Sequence, residues 1–125
     1  MTARTEVVTL LTAVLPTDVD VIPYARNIDA PTKSTVMVRT DRVTPSPAAA
    51  GMRTYEMACI LIAKRTTAGP GDDELDLLLE DVLHALAHQT IPNGVTWSEA
   101  RRATYGEPDG TNPAYEIALA VTVTH

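Results

Sequence analysis

Residues 53–65 read RTYEMACILIAKR, and this segment constrains the fold more than any other. Alternate side chains of a strand leave on opposite faces. Here Tyr55, Met57, Cys59 and Leu61 take one face while Ala58, Ile60 and Ile62 take the other. Both faces therefore need cover, and the strand belongs in the middle of a sheet. A chain of 125 residues is about one domain's worth and hides roughly two thirds of its unfolded surface. The expectation is a single domain over residues 1–125 with one core.

The elements flanking that strand follow from periodicity. Val7, Leu10, Leu11, Val14 and Leu15 recur at helical spacing and Pro16 stops them, which predicts a helix over 3–15. Residues 16–34 are dense in breakers, including Pro16, Pro23 and Pro31, and read as a long crossing connection with a short extended piece near Val19 to Tyr24. Ser34 to Arg39 reads as a strand, and residues 44–52 (TPSPAAAGM) as a loop. Leu75, Leu78, Leu79, Val82, Leu83 and Leu86 form one apolar stripe, which predicts a helix over 72–89. Val95 to Tyr105 alternates imperfectly, residues 106–113 (GEPDGTNP) read as a turn, and Tyr115 to Thr124 alternates cleanly, so the last two segments form a hairpin. The expected fold is α+β: a four-stranded, mainly antiparallel sheet with two helices packed on one face, in the order α-β-β-α-β-β. Ala58, Ile60, Ile62, Ala118 and Ala120 then lie on the uncovered face, which predicts self-association.

Charge narrows the function classes. Sixteen Asp and Glu against ten Lys and Arg give a formal net charge of −6, which argues against ordinary phosphate-backbone binding. Asp72, Asp73, Glu74, Asp76, Glu80 and Asp81 fall together without an intervening base, and the ten remaining acids balance the ten bases. Acids in a first helical turn are favoured by the helix dipole, by roughly 0.3–1 kcal/mol each. That accounts for Asp72 to Asp76 but leaves Glu80, Asp81 and the neighbouring Leu77, which falls among the polar positions. These seven residues are the candidates for assembly contacts or for lining a channel.

Other chemistries find little to stand on. The longest apolar run, Met57 to Ala63, is far short of the about 20 residues of a membrane-spanning helix. The first fifteen residues are broken by Thr5, Glu6, Thr9 and Thr12, so no secretory signal is expected. Cys59, the one cysteine, reads as a small core residue. Asp81, His84 and His88 project from one side of the second helix and have a metal-ligating character, but Ala85 stands where a metalloprotease helix carries Glu. The stripe reads as a solvated face, and no metal or cofactor is expected. Trp97 and Tyr105, on one side of the third strand, have the character of residues that stack on a ligand, but aromatic residues there are usually core or interface. With no nucleophile elbow or phosphate-cradling loop, no enzymatic activity is expected.

The whole pattern resembles the tail terminator family of long-tailed bacteriophages, which includes the minor tail protein U type. The likeness spans the helix ended by Pro16, the crossing through Arg26-Asn27-Ile28, the strand Thr35 to Arg39, a loose loop, the long strand Arg53 to Lys64, the leucine helix and the closing hairpin through Tyr115 to Thr124. The resemblance implies a virion assembly protein at the head-proximal end of the tail. Typically six copies form a ring, a homohexamer, that caps the finished tail tube and offers a surface to the head–tail connector, with no membrane involved. Its partners would be other copies, the tail tube protein and the connector or a neck protein, with DNA passing through unbound. Neck and head-completion proteins of the same particles are of similar size and architecture, and a small dimeric α+β ligand-binding or enzymatic domain is the alternative of another class.

Overall fold

Thr2 starts the first helix, α1 (Ala3–Val14): its hydroxyl oxygen accepts from the Thr5 amide at 3.2 Å, satisfying one of the donors a helix start leaves open. The helix ends where Leu15 turns extended, as the residue before a proline must. Ala3, Val7, Leu11 and Leu15 are buried. Val14, expected on the same face, is instead 50% exposed. The computed structural model describes residues 2–23, 33–45, 51–63, 72–87, 95–105 and 112–124.

The remaining elements are β1 (Asp20–Ile22), β2 (Thr35–Pro45), β3 (Met52–Ile62), α2 (Asp72–Ala87), β4 (Val95–Tyr105) and β5 (Asn112–Thr124). Among the described residues the five strands form one sheet in the order β1-β2-β3-β5-β4. β1 runs parallel to β2, and every other neighbouring pair is antiparallel. The sheet is thus five-stranded and mixed, which corrects the expectation of four mainly antiparallel strands in the order α-β-β-α-β-β. The added strand falls within the short extended piece expected near Val19 to Tyr24, but at three residues between prolines it is too short to carry a period that would place it in the sheet. Its pairing is non-local: Val21 stands against Val36, and the Asp20 amide donates to the Ser34 carbonyl at 2.9 Å. β5 lies between β3 and β4, so the connection through α2 joins two parallel strands across an intervening antiparallel one.

Two register shifts explain where alternation in the sequence fails. One falls between Thr40 and Arg42 and lets β2 run on to Pro45, where loss of an amide costs little at a strand end. Thr44 and Pro45 therefore close β2 and Met52 opens β3, so the expected loop at 44–52 is shorter, and residues 46–50 lie outside the described ones. Asn112 and Pro113 likewise belong to β5 rather than to the expected turn. The other shift, between Trp97 and Glu99, inserts Ser98 as an extra residue in β4. It puts positions 97 and 105 out of phase along the strand.

Both helices contribute to one core. Val7, Leu11 and Leu15 of the α1 segment and Leu75, Leu78, Val82 and Leu86 of α2 cluster with Val36, Val38, Met57, Cys59, Leu61, Ile117, Leu119 and Val121 from one face of the sheet. On the other face Ile22, Met37, Ile60, Ile62 and Ala114 form a second buried cluster. Ile60 and Ile62 were expected to be available for self-association, and that expectation is corrected: both are fully buried, and β1 contributes Ile22 beside them. No helix among the described residues is long and apolar enough to cross a membrane.

Cys59 stands between Val38 and Ile117 in the register, fully buried, and burial pushes its thiol from the ordinary 9.0 up to about 12. Between those values the unfolded chain gives up a proton that the folded chain keeps. Stability contributed by this thiol is therefore intact below 9.0 and falls as pH rises, by at most about 1.4 kcal/mol per pH unit. The thiol should be inert to an alkylating reagent until denaturant is added. Urea unfolding of the parent should lose stability above pH 9.0 faster than a Cys59→Ala variant, and equal slopes would assign the loss to other groups.

Candidate functional site

The helix periodicity divides the candidate residues of α2 into two stripes, because positions three and four apart are surface neighbours. Asp73, Asp76 and Glu80 make one stripe and are all exposed, with exposed His84 continuing it. Half-buried Glu74 and exposed Leu77 and Asp81 make the other. Asp72 opens the helix. Leu77 is 63% exposed, the most exposed of the large apolar side chains.

The two stripes meet different neighbours. The Tyr115 hydroxyl donates to Asp76 Oδ1 at 3.5 Å, and the Arg102 guanidinium sits over the Tyr115 ring, 5.5 Å from its centre. Asp76 is thereby tied to β5 and, through the ring, to β4. Glu74, Leu77, Leu78 and Asp81 instead form one wall of a shallow groove of about 160 Å³ whose other wall is Pro16, Asp18, Val19 and Ser34. Among the described residues three carboxylates line it and no base does. Sequence reasoning singled out the α2 wall but missed the opposite one. Asp18 and Ser34 come together only through the pairing of β1 with β2, which no local pattern announces.

His84 is exposed on the first stripe, and His88 lies outside the described residues. Among the described residues no three His, Cys, Asp or Glu side chains gather as metal ligands do.

The sheet face away from the helices carries a wider, open trough of about 600 Å³ near Thr96, Trp97, Ala118 and Ala120. Its charges hold one another. The Arg42 Nε donates to Glu56 Oε2, and this hydrogen bond is the main reason the Glu56 carboxyl lies below, and the Arg42 guanidinium above, their ordinary ranges. Arg39 Nε donates to Asp41 Oδ1 at 2.6 Å, and the same guanidinium lies 3.7 Å from Glu116. These pairs are exposed, so each contributes little. The arrangement is that of a solvated ion-pair lattice around small residues, and among the described residues no buried acid–base pair or activated nucleophile faces the trough.

What the described residues offer is therefore a helix carrying the chain's unbalanced charge and an exposed leucine, packed on one face of the sheet. Compared with models of known protein families and with curated proteins, the chain matches none.

Proposed function

We propose that the chain is a structural assembly protein, a tail terminator subunit of a long-tailed bacteriophage or prophage-derived particle, whose ring caps the tail tube and receives the head-side connector. The observation that supports this reading is the division of α2. Asp73, Asp76 and Glu80 present a line of exposed carboxylates on a helix anchored by Leu75, Leu78, Val82 and Leu86. A ring around DNA must let a polyanion pass without holding it, and a fixed acidic wall repels the phosphates within about a Debye length, about 8 Å at physiological salt. The adjacent stripe, with Leu77 exposed among Glu74 and Asp81, has the composition of a contact with another chain, an apolar centre with a charged rim.

Negative-stain images of the purified protein across concentration test the reading. Rings with a central hole wide enough for duplex DNA are expected at high concentration. Compact particles without a hole would replace it by the reading of a small dimeric domain.

A further inference from the structure

The two edges of the sheet carry opposite surfaces. At the β1 edge, the groove of Pro16, Asp18, Val19, Glu74, Leu77 and Asp81 is acidic with an exposed leucine. At the other edge lies β4, an 11-residue strand whose outer side is unpaired in the sheet. It presents Arg101 and Arg102, both exposed but on opposite sides of the sheet, Arg101 across from Glu116 and Arg102 across from Tyr115, and Trp97, 44% exposed. Neighbouring strands lie about 4.8 Å apart, so five of them hold the two edges roughly 19 Å from each other. One copy cannot bring them together.

From this we infer that successive copies join head to tail, the β4 edge of one against the α2 groove of the next. Arg102 from the helix side of the edge and Arg101 from the other side reach Asp18, Glu74 and Asp81, and Trp97 packs against Leu77. A contact between two different patches is heterologous, and it closes into a ring when the rotation per copy divides the circle. The inference rests on the ring reading above and names the surfaces that would build the ring.

Two features of β4 argue for side-chain contact rather than strand-to-strand pairing. The extra residue at Ser98 breaks the ladder, and Glu99, Arg101 and Arg102 place charge along the edge; bulges and charges are how free edges are kept from adding strands. Arg102 is also held over the Tyr115 ring, which reduces the freedom it has to lose on binding. Exposed Trp and Arg are the side chains most often found to dominate an interface, and the groove offers both an apolar and an anionic counterpart. Of the outward stripe, Asp73 and Glu80 stay outside this contact, and Asp76 adjoins it through Tyr115.

Charge exchange tests it. Arg101→Glu with Arg102→Glu, and separately Glu74→Lys with Asp81→Lys, should each keep the circular dichroism spectrum of the parent and weaken self-association about tenfold or more in sedimentation velocity. An equimolar mixture of the two variants should associate again, because each edge then meets a groove of opposite sign. The chain carrying all four substitutions should associate by itself for the same reason. Loss that neither the mixture nor the fourfold variant restores overturns the inference, since misfolding would then explain it. A parent whose oligomers are indifferent to both reversals overturns the head-to-tail contact while leaving the ring reading intact. A parent that stays monomeric at every concentration overturns both.

Discussion

Leu61→Ala should lower the unfolding free energy by about 2–5 kcal/mol, the range found when a buried leucine is cut back and its neighbours cannot collapse into the space. Leu61 is fully buried in β3, the third of five strands, with Val36 on one side of it and Tyr115 on the other in the register. Strands flank it on both sides and the helical layer lies above it, so the surroundings have little room to relax. A domain of this size has a total stability of about 5–15 kcal/mol, so this one change removes a large share of it. A fall in melting temperature of roughly 10 °C is expected, since each kcal/mol shifts a domain of this size by several degrees. The control is Leu77→Ala, which removes a side chain that is 63% exposed and should stay within about 0.5 kcal/mol of the parent. A Leu61→Ala loss below about 1 kcal/mol would mean that the core closes over the gap. The packing between the sheet and α2 would then be looser than described.

That contrast between two leucines was largely legible in the amino-acid order, and the reason is local. A long apolar stripe of period 3.6 identifies a helix and its buried side at once, so α2 and the exposure of Leu77 both follow from positions 72–87. Pro16 marks the end of α1 because a proline restricts the residue before it, here Leu15. β3 was legible as a central strand because both of its faces are apolar. The parts that escaped are those fixed by distant partners. β1 has three residues and exists through its pairing with Thr35, Val36 and Met37. The far half of β2 looked like loop because the register shift after Thr40 hides its alternation, while the Arg42–Glu56 ion pair spans the ladder beyond the shift. The exposure of Ile60 and Ile62 was misjudged in part for the same reason: Met37 stands opposite Ile60 in the register, and Ile22 joins their cluster through β1. At the candidate site the acidic helix could be read directly. The groove wall of Pro16, Asp18, Val19 and Ser34 could not, because it is assembled by the parallel pair.

The two stripes of α2 make opposite demands on a pair of adjacent residues, and reversing each in turn separates them. Glu80 lies on the outward stripe with Asp73 and Asp76, whereas Asp81 lines the groove with Asp18 and Glu74. Both are exposed and both lie beyond the first turn of the helix, where the dipole no longer favours an acid. Either one changed to Lys should therefore leave the melting temperature of the subunit nearly unchanged, within about 0.5 kcal/mol. Asp81→Lys puts a cation into the surface proposed to receive Arg101 and Arg102, so it should weaken self-association severalfold in sedimentation while adding no affinity for DNA. Glu80→Lys should leave association as it is, because the substituted position stays outside the contact. In the proposed ring, however, the change is repeated once per copy on the wall proposed to face the channel. A repelling wall becomes attractive there, and a labelled short duplex should bind on the order of tenfold tighter at low salt, with the gain lost as salt is raised. If Glu80→Lys gains no affinity while rings persist, the outward stripe does not line the channel. If it dissolves the rings as Asp81→Lys does, both stripes belong to the contact between copies and the division of labour along α2 is wrong.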